Sequence, residues 1–487
     1  MSVRGAAMWS MAAQYVVFAL QFAVSVIIAR FFLTPEEVGL FSIALAAAMM
    51  VSILQDFGIT RYIAGEPGLD EARIRTCYSV SIVFALGIGL VILALAWPVS
   101  LFYGDARLLP LLAVVAASYL AVPFGIVPSA LLQREMDFRS LFIVNVGAAL
   151  AQAAVALALA AAGYSAMSLA WAAVAQQAAR ALLGLWRSRT RIAFPLSLSG
   201  AGPILRFGSG ASLLYVSGSI GTRSPELIVG RLLSFAAVGL YGRAVGLSAQ
   251  LRQLVTGAIG AVFYPAFARI RDKGGDFAPP YLRVVSGYSA VTWPAMAFLA
   301  AAATPLVLIL YGPVWAGVAP LLVWIALSEI FFTALPLHME LPILLQRMRT
   351  LLKLNVLDTI ASVGLLLAAS LWSLEAAALS RIAYGIVWFA IYAALMRGLV
   401  GFRWRDMVDI YARSLAITFA ATAPLLLVYV WVPPSDVDFA TLAGSAALGG
   451  LAWLAALFLV RHPFRHEMIG ILATGRAALA PLQARRS

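Results

Sequence analysis

The sequence predicts an all-α integral membrane protein of about fourteen transmembrane helices. They form two six-helix lobes related by a pseudo-two-fold axis along the membrane normal, plus an appended C-terminal pair. Three observations carry this prediction: composition, the spacing of apolar runs, and an internal echo. Of 487 residues, 63% are hydrophobic and only 11% charged, with a mean hydropathy of +0.95, whereas a soluble domain carries roughly 25% charged residues. Apolar runs of about 20 residues, enough for a helix to span a hydrocarbon core of about 30 Å, recur along the whole chain. Finally, Arg30-Phe-Phe-Leu-Thr-Pro-Glu-Glu-Val-Gly-Leu-Phe41 is echoed by Arg231-Leu-Leu-Ser-Phe-Ala-Ala-Val-Gly-Leu-Tyr241, with Val-Gly-Leu-aromatic repeating at an offset of 200 (238 − 38).

The runs cover 8–32, 38–63, 77–102, 108–132, 141–163, 166–187, 203–232, 236–264, 281–310, 316–337, 350–372, 375–397, 410–432 and 438–460. Each is expected to be helical, because an open sheet cannot satisfy its edges in lipid. The first run is long enough to span by itself, which argues for a permanent span rather than a cleaved leader. The longest connection, from about Ser188 to Gly202, leaves no room for an inserted soluble domain.

The echo continues downstream. Pro110 to Ser118 matches Pro320 to Ser328, Leu131-Leu-Gln-Arg134 matches Leu344-Leu-Gln-Arg347, and Asn145-Val146 matches Asn355-Val356, at offsets of 210, 213 and 210. Several matches in one order at a nearly constant offset indicate internal duplication. Six spans per copy is an even number, so both copies enter the membrane from the same side. The expected organisation is an N-terminal lobe over 1–200, a second lobe over 201–400, and a helix pair with a basic tail over 401–487.

The net charge of +13 and a pI near 10.2 raise nucleic acid as a partner, but the basic residues sit in short clusters between apolar runs. With a cytoplasmic N-terminus, about 25 of the 34 Lys and Arg fall on inner loops and tails, against about four outside (Arg30, Arg107, Arg223, Arg231), as the positive-inside rule expects. Both termini are therefore expected in the cytoplasm. Cys77 alone excludes an intramolecular disulfide, and the three histidines, His338, His462 and His466, form no ligand-spaced pair inside the membrane.

Charges at membrane depth are the candidate functional residues, because each costs at least about 2.5–3.5 kcal/mol on insertion scales unless it lines water or pairs. Arg223 and Arg252 lie deepest, Arg243 lies about two turns inside the eighth span, and Arg381 similarly inside the twelfth. Snorkelling is the bland alternative for Arg243 and Arg381, and the favoured reading for Arg180. Arg243 and Arg252, nine apart at 100° per residue, point to opposite helix faces. Arg223 and Glu226, three apart, are spaced for a local pair, and Pro225 between them is expected to kink the seventh span. Asp56 sits beside Arg61 near an inner end, and Glu329 is deeper without an obvious partner. Trp97, Trp293 and Trp315 fall near span ends, where aromatic belts are expected. At the repeat offset of 210, Asn145 matches Asn355 but Asp358 faces Ala148. Asn355 and Asp358 share one helix face; the bland alternative is a pair between Asp358 and Lys353 at the inner surface.

Over essentially its whole length the chain resembles the bacterial oligosaccharide and polysaccharide flippases of the O-antigen and exopolysaccharide type. Their superfamily also holds multidrug exporters and the peptidoglycan lipid flippase. The resemblance rests on Ala29 to Phe41, Asp56-Phe-Gly58, Leu132-Gln-Arg-Glu-Met-Asp-Phe-Arg139, Val229-Gly-Arg231 with Val238-Gly-Leu-Tyr241, and Tyr264-Pro-Ala-Phe267. It implies alternating-access translocation of undecaprenyl-pyrophosphate-linked oligosaccharide across the bacterial inner membrane. Membrane lipids and the polymerase and chain-length machinery would be partners, with no covalent chemistry and no cofactor beyond a proton or sodium gradient. Arg223, Arg252, Arg243 and Arg381 would then face the pyrophosphate, since the guanidinium fork suits phosphate bidentately. A cation site between the seventh, eleventh and twelfth spans would use Asp358, Asn355 and Glu226. The chain departs from the family's pattern on the seventh span, with Ser224 and Glu226 where Asn and Asp are expected. Two alternatives stay open at this stage. A multidrug or cation antiporter of the same architecture would want a more acidic or aromatic chamber, and a glycan polymerase would want a sizeable extramembrane loop or an acidic cluster.

Overall fold

The computed structural model describes residues 3–52, 58–188, 196–202, 221–256 and 260–469. Asp56, Arg189, Arg191, Arg206, the first part of the seventh run (203–220) and the tail arginines Arg476, Arg485 and Arg486 lie outside the described residues. Within the described residues the chain is helical with no strand, and each of the fourteen apolar runs falls on helix. In order these are α1 (Val3–Phe31), α2 (Pro35–Val51), α3 (Ile59–Gly65), α4 (Glu71–Tyr103), α5 (Leu108–Ser118), α6 (Val122–Arg134), α7 (Phe138–Ala161), α8 (Ala166–Ser188) and α9 over 221–232. There follow α10 (Phe235–Thr256), α11 (Gly260–Asp272), α12 (Ala278–Ala301), α13 (Ala303–Tyr311), α14 (Val318–Ala334), α15 (Glu340–Leu344), α16 (Met348–Ser370), α17 (Leu374–Val400), α18 (Trp404–Val428) and α19 (Phe439–Leu459). Nine helical stretches among the described residues are each long and apolar enough to cross a membrane. Two other runs are interrupted: the second ends one helix at Ser52 and starts another after Gly58, and the ninth turns at Ala302 between α12 and α13.

The chain divides into two compact units, Met1–Gly242 and Arg243–Ser487. In the first, α7 lies between α1 and α8, α6 packs on α8, and α5 packs against α2, α4 and α8. The α7 and α8 faces are built of alanines, with Ala148, Ala149, Ala153, Ala156, Ala170, Ala172 and Ala181 buried. Small side chains let helix backbones approach closely where lipid removes the usual hydrophobic drive.

The motif Thr34-Pro-Glu-Glu37 is a helix start in chemical terms. The Thr34 backbone N–H donates to Glu37 Oε2 at 2.8 Å, the Glu37 N–H donates to Thr34 Oγ1 at 3.4 Å, and Pro35 occupies the first turn, where no donor is needed. The echoed Val-Gly-Leu segments prove to be a contact. A Cβ on Gly39 would sit 1.8 Å from the Phe235 carbonyl oxygen, and one on Gly239 would sit 1.9 Å from that of Pro35. The two copies cross backbone to backbone, which only glycine permits.

The duplication also shows in the turns. Met136 and Gln346 both adopt φ of 56°, 210 apart, and α7 and α16 start 210 apart (348 − 138). The Leu-Leu-Gln-Arg match at offset 213 is therefore not a structural correspondence; the turn conformation fixes 210.

In the second unit α12 packs against α14 and α18, α17 lies between α14 and α16, and α19 lies on α18. A buried aromatic core of Tyr281, Trp388, Tyr392 and Phe402 fills the space around them. The C-terminal pair is tied in by Trp453, whose Nε1–H donates to the Ala290 carbonyl at 2.8 Å.

Candidate functional site: two polar centres

In the second unit the charged centre forms around Glu329 on α14, whose side chain is 4% exposed. Arg381 of α17 donates from Nη2 to Glu329 Oε1 at 3.2 Å and from Nε to Ser328 Oγ at 3.4 Å. Arg252 of α10 brings its Nε within 3.5 Å of Oε2. The expectation that Glu329 lacks a partner is thus corrected: two arginines from distant parts of the sequence converge on it, a coupling invisible at short range. Two guanidinium groups on one carboxylate leave one net positive charge. The Arg381 guanidinium also lies 5.4 Å from the Phe332 ring.

Arg243 turns elsewhere, as the nine-residue spacing requires. Its guanidinium lies 4.9 Å from the Tyr311 ring and 5.0 Å from that of Trp315, a cation held by ring faces rather than snorkelling. Trp315 and Trp293 are buried, so neither belongs to an interfacial belt. Trp315 holds Arg243, and Trp293 stacks on Tyr411 at 5.1 Å.

Beside this centre, Tyr392 Oη donates to Asn355 Oδ1 at 2.7 Å, and Asp358 lies within hydrogen-bonding reach of Tyr384. Among the described residues Asp358 makes no ion pair with Lys353. An aromatic file of Phe332, Tyr384, Trp388 and Tyr392 joins these groups, with centroids 5.1–5.5 Å apart. In the first unit, Arg223 and Glu226 of α9 form the loose local pair their spacing suggests, at 3.8 Å. Glu226 belongs to the first unit, and Asn355 and Asp358 to the second.

The first unit also holds something the sequence reading missed: a cavity of about 490 Å³, within the roughly 300–1,000 Å³ range of small-molecule sites. One face of α1 gives it Ser10, Gln14 and Gln21; α6 gives Ser129 and Gln133. From α7 come Phe138, Phe142 and Asn145, and from α8 Gln176 and Arg180, with Thr60 of α3 completing the wall. The spacings of four, seven and eleven on α1, and of four on α6 and α8, place each set on one helical face. Arg180 lines this cavity. Its Nε is buried without a hydrogen-bond acceptor, and its stem packs on Gly125, where an added Cβ would sit 3.1 Å from Arg180 Cγ. Scanning for charges alone overlooked the site; scanning for amides at helical spacing inside apolar runs finds it.

Comparison with known proteins places the chain in a family. Residues 27–320 match the family model described as polysaccharide biosynthesis protein. The chain belongs to this family. It is 24% identical over 322 residues to the lipopolysaccharide biosynthesis protein WzxC of Escherichia coli (strain K12), covering 65% of this chain and 64% of that protein. It is 26% identical over 328 residues to the succinoglycan biosynthesis transport protein ExoT of Rhizobium meliloti (strain 1021), covering 66% and 65%. These matches span slightly less than two thirds of each relative's length. An uncharacterized membrane protein in the cps region of Klebsiella pneumoniae is 22% identical over 488 residues, covering 95% of this chain and 96% of that one. Among solved structures, the lipid II flippase MurJ in an inward closed conformation superposes with a TM-score of 0.72 over 95% of this chain and 99% of that one, at 14% identity. The fold is of that kind, and the chain is a multi-pass membrane protein.

Proposed function

We propose that this protein carries undecaprenyl-pyrophosphate-linked oligosaccharide from the cytoplasmic to the periplasmic leaflet of the bacterial inner membrane by alternating access. It would serve O-antigen, capsule or exopolysaccharide synthesis, with both termini cytoplasmic and a polymerase receiving the cargo. The observation that carries this reading is the net-positive centre of Arg252 and Arg381 on the buried Glu329, set on apolar helices of a chain in the polysaccharide biosynthesis family. A pyrophosphate cannot cross hydrocarbon without such compensation. It would exchange with Glu329 for the guanidinium forks, which keep their charge when desolvated. Arg243, held on its two rings, contributes field, and Arg223 of the first unit offers a phosphate contact of its own. The protein transports and makes or breaks no covalent bond. Coupling runs through a proton or sodium ion at Asp358 and Asn355 of the second unit.

The test is complementation of a bacterium deleted for its own flippase, read as polysaccharide on the cell surface. The wild-type chain restores export, a well-expressed Arg223→Ala, Arg252→Ala double variant does not, and the corresponding Lys variants retain part of it. Full export by the double alanine variant overturns the phosphate assignment. In vesicles, Asp358→Asn removes the response to an imposed gradient; an unchanged response removes Asp358 from coupling.

A further inference from the structure

The cavity of the first unit has no part in the phosphate and ion chemistry assigned above, and its chemistry is of a different kind. Its polar wall is made of carboxamides and hydroxyls, with Arg180 as its one charge. Each carboxamide offers two donors and an acceptor, and each hydroxyl a donor and acceptors. Such groups inside an apolar helix bundle are costly unless something hydrogen-bonds them. The ligand that matches many alternating donors and acceptors with little charge is a polyhydroxylated one. Phe138 and Phe142, on the same wall, offer apolar faces for the C–H side of a sugar ring. The guanidinium adds one requirement: among the described residues no carboxylate pairs with Arg180, and its Nε stays buried without an acceptor. A cation left so at membrane depth is suited by an anion that arrives with the ligand.

We propose that this cavity is a saccharide subsite for an acidic glycan: the carboxamides of α1, α6, α7 and α8 bind sugar hydroxyls, and Arg180 binds an anionic substituent. The proposal rests on the reading that the cargo is a lipid-linked oligosaccharide, and it puts recognition of the glycan in a different unit from the charged centre around Glu329. The anion has two chemical sources, a carboxylate on a sugar or the pyrophosphate at the lipid junction. The carboxylate is favoured because the cavity's many uncharged hydrogen-bonding groups have nothing to bind on a bare pyrophosphate.

The test reads occupancy rather than transport. The sole native cysteine, Cys77, is buried, so Ser129→Cys places a labelling site in the cavity wall of the full-length protein in detergent. Maleimide labelling is timed with three probes: a glucuronate-containing tetrasaccharide, neutral maltotetraose, and farnesyl pyrophosphate. The acidic tetrasaccharide slows labelling, maltotetraose does so with roughly tenfold weaker apparent affinity, and Arg180→Gln removes that difference while Arg180→Lys keeps part of it. Equal protection by the two saccharides, insensitive to Arg180→Gln, overturns the anion assignment. Protection by farnesyl pyrophosphate alone overturns the saccharide subsite and makes the cavity a phosphate site. No protection by any probe overturns the site altogether. Failure of the wild-type chain to restore export in the deleted strain would sink the transport reading instead, and that result is independent of the labelling.

Discussion

The duplication sets two versions of one place side by side. The helices α8 and α17 start 208 apart (374 − 166), each preceded by a serine, Ser165 and Ser373. At that offset Gln176 and Arg180 correspond to Tyr384 and Trp388, while Asn145 and Asn355 correspond at 210. The first unit surrounds its asparagine with a carboxamide and a cation. The second surrounds its own with aromatic rings, and Tyr392 takes up the amide oxygen. The charged pair follows the same pattern. Ser118 and Ser328 donate to the carbonyls of Val115 and Ile325, both at 2.6 Å, which fixes the 210 register. The next residue is Tyr119 in the first unit and Glu329 in the second, and Arg381 has Ala173 as its counterpart at offset 208. An acid and its arginine partner are thus present together in one copy and absent together from the other. The backbone contacts were kept in both copies while these side chains diverged.

The largest effects are expected where the copies agree. Gly39 and Gly239 meet a carbonyl oxygen within 2 Å of any added Cβ, so Gly39→Ala and Gly239→Ala should each destabilise by about 3 kcal/mol or more, since backbone cannot yield as a side chain does. The measurement is the apparent melting temperature of detergent-solubilised protein. Comparable falls for the two variants support reciprocal packing. A fall for one with none for the other breaks it.

Next comes the place where the copies differ most. Glu329→Gln leaves Arg252 and Arg381 without their carboxylate, and removing one partner of a buried pair costs about 3–5 kcal/mol. Arg252 is 44% exposed, so solvent screening makes the lower end, about 3 kcal/mol, the expected value. Tyr119→Phe, at the equivalent position, should cost within about 1 kcal/mol. Equal losses at the two positions would mean that Glu329 acts as packing and not as a charge.

These pairs also show what the sequence makes legible. The apolar runs, the duplication and the capping motif at Thr34 are local patterns, and reading them needs only periodicity and composition. The partnership of Arg252, Glu329 and Arg381 joins residues up to 129 apart (381 − 252), and only the fold, which packs α14 on α17 and brings Arg252 to Glu329, decides it. The cavity was hidden for another reason. Glutamine and asparagine carry no charge to mark them as costly, although at spacings of four and seven they trace one face as clearly as arginines would.

A smaller effect, with a defined pH window, is expected at His462. Its Nδ1 accepts from the Phe464 N–H at 3.2 Å, which leaves the proton on Nε2, 3.0 Å from Ser414 Oγ. Ser414 in turn donates to Ser289 Oγ at 2.9 Å, and Ser289 to the Val285 carbonyl at 2.8 Å. The chain is satisfied only with a neutral ring. Burial, followed by nearby Arg413, pushes the His462 pKa down to about 4. The unfolded chain then binds a proton that the folded one refuses, so this contribution is fully present above an unfolded value near 6.5 and is lost as pH falls from there towards 4. Lowering pH from 7 to 5.5 should remove about 1–2 kcal/mol, and His462→Gln should flatten that part of the profile. A variant that keeps the full wild-type slope would place the titrating group elsewhere.

The smallest stability effect separates the two centres most sharply. Arg180→Gln removes a cation that has no carboxylate among the described residues, so no acid is stranded by its loss, whereas Arg381→Gln takes one of two partners from Glu329. Two terms oppose each other at Arg180. Losing an uncompensated charge at membrane depth relieves part of an insertion cost of about 2.5–3.5 kcal/mol. Losing the stem that packs on Gly125 gives back a comparable amount of apolar contact. The melting temperature should therefore stay within the equivalent of about 1 kcal/mol of wild type, with a clear fall for Arg381→Gln under the same conditions. If Arg180→Gln falls as far as Arg381→Gln, the cation is part of the scaffold. The contrast between a charged centre that holds itself together and a cavity kept open for a ligand then fails.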